Sequence, residues 1–148
     1  MEQKIIRTLN VYYYGIMALT LLAGTLAYFL IMKDYVQPID SLSTLGQAIQ
    51  YVVIFDALVT IPLGLYLCKK QCTKLSVLDN EEEKLQGYKK AASLRILLVS
   101  KTMVFAIAAF YLMGAYQSML WVAAVSAIGW YFTKPSERKM ELELQPKD

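Results

Sequence analysis

Apolar residues run almost unbroken through four stretches, at about Val11–Met32, Ala48–Cys68, Ala92–Met113 and Ala115–Phe132, and the charged residues collect between them. The first three are long enough to cross roughly 30 Å of hydrocarbon at about 1.5 Å per residue. The pattern predicts an all-α fold, a four-helix transmembrane bundle forming a single integral membrane domain over residues 1–148. A loop at 69–90 and a tail at 133–148 carry most of the remaining polarity.

Local signals refine these elements. Tyr12, Tyr13 and Tyr14 open the first span, and Trp130, Tyr131 and Phe132 close the fourth, the placement of an interfacial aromatic belt. Ala23, Gly24 and Ala27, and later Ala123, Ser126 and Ala127, give small surfaces on which another helix packs closely. Pro62 inside the second span removes a backbone donor and predicts a kink, with Thr60 placed to satisfy the freed groups. Asp79 or Asn80 caps a helix whose first turn is Glu81-Glu82-Glu83, matching the positive end of the helix dipole. That helix is expected to run from about residue 80 to 113 and to project from the bilayer. After Pro135, the alternation of Met140, Leu142 and Leu144 fits a short strand, while Ser136 fits the cap of a short helix.

With 148 residues and 57% hydrophobic content, the spans and their connections use nearly the whole chain. No soluble catalytic domain fits, and the net charge of +3 carries no nucleic-acid signal because its placement follows the spans. Lys4 and Arg7 precede the first span, the second connection holds Lys69, Lys70, Lys74, Lys84, Lys89 and Lys90, and the tail holds Lys134, Arg138, Lys139 and Lys147. The first connection has Lys33 alone, beside Asp34 and Asp40. Basic residues are retained on the cytoplasmic side, so both termini and the 69–90 loop are expected inside. The first span reads as an uncleaved helix, because its apolar run exceeds the core of a signal peptide and no A-x-A site follows.

Charge within a span costs at least about 2.5–3.5 kcal/mol at the helix centre, so each instance needs an account. Asp56 lies eight residues after Ala48 and Lys101 twelve before Met113, about 12 and 18 Å below the same membrane face. A lysine stem covers that difference, which predicts a buried Asp56–Lys101 ion pair between the second and third spans. Asp56, Lys101, Thr60 and Pro62 form the candidate intramembrane polar site, with Ser100, Thr102 and Gln50 as the further polar residues of any transport route. Arg95 sits nearer the inner face and is expected to snorkel to the headgroups. Glu81, Glu82, Glu83, Lys84, Lys89 and Lys90 form a candidate interaction surface.

Histidine is absent, which removes His-ligated haem, most zinc chemistry and the commonest proton shuttle. The two cysteines, Cys68 and Cys72, have C-x-x-x-C spacing rather than the C-x-x-C of redox motifs and fall on the reducing side. No phosphate-binding glycine loop, metalloprotease motif or nucleophile elbow occurs, and no catalytic residue, cofactor or metal is expected.

The run Tyr88-Lys89-Lys90-Ala91 to Leu94-Arg95, a span, a turn at Gly114, another span and Lys134-Pro135-Ser136 resembles small uncharacterised four-span proteins of the bacterial inner membrane. The resemblance implies that location and no activity. Three function classes follow. The first is an accessory or structural component of the lipid bilayer that binds another membrane protein, or a second copy, through its long cytoplasmic helix and its small-residue faces. The second is a small oligomeric transporter or channel centred on Asp56 and Lys101, and the third is a lipid-modifying enzyme. No nucleic-acid partner is expected.

Overall fold

A computed structural model describes residues 1–146; Lys147, counted above among the basic residues of the tail, lies outside the described residues. The described residues form five helices: α1 Glu2–Met32, α2 Thr44–Leu75, α3 Glu81–Leu112, α4 Gln117–Phe132 and α5 Glu137–Leu144. The first three are long and apolar enough to cross a membrane. At 31, 32 and 32 residues each reaches about 47 Å, so more than a turn extends past the hydrocarbon at one or both ends. The 16-residue α4 reaches about 24 Å.

Helix limits follow side-chain caps. Ser43 Oγ accepts from the Gly46 amide at 3.0 Å to start α2, and Asn80 Oδ1 accepts from the Glu82 amide at 3.1 Å to start α3. Ser136 Oγ accepts from the Lys139 amide at 3.2 Å and starts the helix Glu137–Leu144, so over those residues the strand alternative is not formed. Buried Met140 and Leu144, four residues apart, are the apolar face of this helix. The 69–90 connection is almost entirely helix, its non-helical part being only residues 76–80. α2 continues unbroken through Pro62.

α3 is the central helix. In its most apolar window 44% of residues are buried, against 17% for α1 and 22% for α2. It packs along α1, α2 and α4, while α1 and α2 make no close backbone approach to each other among the described residues. The packing has layers. At the end bearing both termini, Leu9, Tyr13, Cys68, Tyr88, Ile96 and Met140 meet in one apolar cluster. At the opposite end, Val53, Ala106, Ala109, Met113, Met119 and Ala123 form another. Between them, beside Val99 and Met103, many of the buried residues are small or hydroxylated: Thr20, Gly24, Ala57, Thr60, Gly64, Ser100, Thr102 and Ser126. Small side chains let backbones approach, which in lipid replaces the hydrophobic drive of a soluble core. At Gly24 a Cβ would stand 2.9 Å from Ile107 Cγ2, which leaves no room for a side chain between α1 and α3.

The aromatic belt is only partly a belt. Tyr12, Tyr14, Tyr131 and Phe132 are exposed, but Tyr13 is buried and stacks on Trp130 with ring centroids 4.1 Å apart and planes 6° from parallel. Ring stacking between α1 and α4 takes these two out of the interfacial role expected of them. At the other end the loop before α2 is anchored by the Ile39 amide on the Leu112 carbonyl at 2.8 Å. The turn into α4 needs left-handed backbone at Gly114 (φ 67°) and Ala115 (φ 62°).

Candidate functional site

Asp56 on α2 and Lys101 on α3 are joined, with Lys101 Nζ 2.8 Å from Asp56 Oδ1. Thr60 Oγ1, one turn along α2, donates to the same oxygen at 2.9 Å, and Thr102 Oγ1 donates to Oδ2 at 2.9 Å. The carboxylate thus has three donors, two of them neutral hydroxyls fixed by helix geometry. Thr60 was expected to serve the backbone freed by Pro62; its hydroxyl goes to Asp56 instead, because the i to i+4 spacing puts it beside the carboxylate.

Burial of this pair differs from expectation. The Asp56 side chain is 21% exposed and that of Lys101 43% exposed, so the ammonium lies on the outside of the bundle. The reason lies in how α3 is surrounded. Gln86, Lys90, Leu94, Leu97, Lys101 and Phe105 recur at three- and four-residue intervals, and all are exposed. They form one stripe on the side of α3 left open by α1 and α2. Near Lys101 the stripe borders an apolar groove of about 360 Å³ between α2 and α3, lined by Val52, Asp56, Phe105 and Ala108. Farther along, it borders a groove of about 930 Å³ between α1 and α3, lined by Lys4, Tyr12, Lys89, Lys90, Leu94 and Leu97.

The other polar residues of a transport route are engaged elsewhere. Gln50 Nε2 donates to the Ser41 carbonyl at 2.9 Å, at the loop end, and Ser100 Oγ donates to the Ile96 carbonyl of its own helix. The structure brings together Asp56, Lys101, Thr60 and Thr102, and places Gln50 and Ser100 apart from them. The expected interaction surface also divides. Glu82, Glu83 and Lys90 surround a shallow depression at the start of α3, Glu81 is exposed and Lys84 half-buried beside them, and Lys89 turns to the α1 groove together with Lys90.

A second cluster lies at the end bearing the termini. Arg95 does not snorkel to the membrane surface. Its side chain is 4% exposed, and Nη1 pairs with Glu143 Oε1 of α5 at 2.8 Å. Tyr88 Oη donates to Glu143 Oε2 at 2.9 Å. Burial, with the Glu143 charge beside it, pushes the Tyr88 hydroxyl well above its usual range. Cys68 and Cys72 are both buried, their sulfurs 3.9 Å apart across one helical turn. The Cys68 contact and then burial raise the Cys72 thiol, holding it protonated. Lys139 Nζ donates to the Phe132 carbonyl at the end of α4, and burial lowers its pKa. Sequence reasoning missed this cluster. The signal available was Ser136 as a helix cap, which makes Met140, Glu143 and Leu144 neighbours on one face and returns Glu143 to the bundle.

No protein family, curated protein or solved structure matches the chain.

Proposed function

We propose that this protein is a four-span accessory component of the bacterial inner membrane, with both termini cytoplasmic, whose α3 stripe receives a transmembrane helix of another membrane protein. The observation that carries this reading is the exposed Lys101 side chain between the apolar Leu97 and Phe105 of that stripe. A charge facing hydrocarbon costs about 2.5–3.5 kcal/mol, and such residues in membrane proteins face a protein interior or a water-filled cavity. Among the described residues Asp56 already has three donors, whereas Lys101 has one acceptor for its three N–H groups. The incoming helix therefore offers an acceptor at that depth: a carboxylate, a carboxamide or a hydroxyl. It lies between α1 and α2, over Leu97 and Phe105.

The topology rests on the lysine and arginine distribution, and on α4 spanning with its flanking aromatics and charged tail. A transporter centred on Asp56 is the weaker reading, because Gln50 and Ser100 are committed to other partners and leave one polar cluster without a route.

Site-specific photo-crosslinking in native membranes tests the proposal. A photoreactive residue at Leu97 or Phe105 is expected to yield one membrane-protein adduct, and the same residue at Leu22 or Leu26, on the exposed face of α1, none. Equal labelling from both helices, or adducts to lipid alone from α3, refutes it.

A further inference from the structure

A buried pair of thiols beside a carboxylate has no role in docking at α3. Cys68 and Cys72 are each 2% exposed, with sulfurs 3.9 Å apart. A Glu143 carboxylate oxygen stands within 4.8 Å of both. Two Zn–S bonds of about 2.3 Å at the tetrahedral angle place their sulfurs about 3.8 Å apart. The thiols are therefore already set at one edge of a zinc tetrahedron, with an oxygen ligand near a third corner. A cavity of about 410 Å³, lined by Cys72, Arg95, Lys139 and Glu143 among others, leads to the site and leaves space for water at the fourth.

An independent observation concerns Arg95. Its Nη1 is taken by Glu143, yet its Nε and Nη2 are buried with no acceptor among the described residues. Buried guanidinium donors without acceptors are costly. Thiolate sulfurs at Cys68 and Cys72 would supply acceptors for these donors, and donors around coordinated thiolates are the usual outer shell of a metal site.

We propose that Cys68, Cys72 and Glu143 bind one zinc ion, with Arg95 as the residue that positions Glu143 and neutralises the site. Charge is conserved in the exchange: the two thiols release two protons as one Zn²⁺ enters, and the Arg95–Glu143 pair stays as it was. The bound ion ties α5 to the last turns of α2. Two adjacent cysteines on one helix thus act with a carboxylate that comes from the far end of the chain.

The test uses the full-length protein, reduced and purified in mild detergent, titrated with zinc against a chromophoric chelator. One zinc per chain is expected, and Cys68→Ser or Cys72→Ser should each weaken binding by at least about 100-fold. Zinc that is absent, or held equally by both serine variants, overturns the proposal. Should the variants not fold, Co²⁺ added to the wild-type protein keeps the question decidable. A sulfur-to-metal charge-transfer band saturating at one cobalt per chain and bleached by zinc is expected; a cobalt spectrum without that band is equally fatal to the proposal.

Discussion

Replacing Asp56 by Asn removes the counter-charge of Lys101 and almost nothing else. Asn Oδ1 still accepts from Lys101 and Thr60, and the Thr102 hydroxyl rotates to accept from the new amide. What remains is a charged lysine whose side chain is 43% exposed on the outer surface of the bundle, which in a span meets hydrocarbon rather than water. The insertion cost of such a charge is about 2.5–3.5 kcal/mol, compared with about 0–1 kcal/mol for losing an ion pair in water. Taking about 3 kcal/mol, and about 3 °C per kcal/mol for a chain of this size, the unfolding midpoint in nanodiscs should fall by about 9 °C. Lys101→Met alone strands the carboxylate, but two hydroxyl donors stay on it, so its loss should be smaller, about 2 kcal/mol. The double variant leaves a neutral amide among hydroxyls and an apolar side chain against lipid, and should return to within about 1 kcal/mol of wild type. The cycle therefore predicts a coupling of about 4 kcal/mol, read from thermal unfolding of all four proteins under one condition. If Asp56→Asn costs less than about 1 kcal/mol, or the two losses add, the lipid-facing charge account is wrong.

Other outcomes follow from the packing. Glu143→Gln leaves Arg95 buried without its counter-charge and should cost about 3 kcal/mol or more, with α5 becoming accessible to limited proteolysis before the rest of the bundle. Gly24→Val drives a branched side chain into Ile107 and should lower stability by about 1–3 kcal/mol, while Gly15→Ala, where a Cβ meets nothing within 4 Å, should be close to neutral; unfolding midpoints decide both. Burial raises Tyr88 in the folded state, so its protonated form contributes stability that is complete below the unfolded value near 10 and is lost as pH rises beyond it. Thermal stability should accordingly fall above about pH 10, and Tyr88→Phe should lessen that fall.

Depth along a helix is additive at about 1.5 Å per residue, so counting from the span ends is enough to put Asp56 and Lys101 on a level. The same counting locates the three long spans, and the Asn80 cap with its glutamates locates the start of α3. The direction a side chain faces around the helix is a different quantity. In a soluble helix the apolar stripe reveals it. Here lipid and protein interior are equally apolar, and exposed Leu97 and Phe105 are no more polar than buried Val99 and Ala106. For that reason only the tertiary structure decided that α3 is central, that Lys101 points outward and that Tyr13 stacks on Trp130. It also decided the fate of Arg95. Sequence places this residue near a membrane surface, where snorkelling is the local solution, but a capped α5 folding back brings Glu143 to within 2.8 Å. A contact across 48 positions depends on chain return, which no local pattern encodes. The cysteines follow the same division: their i to i+4 spacing puts both sulfurs on one face of α2, and the approach of α3 and α5 sets Arg95 and Glu143 against that face.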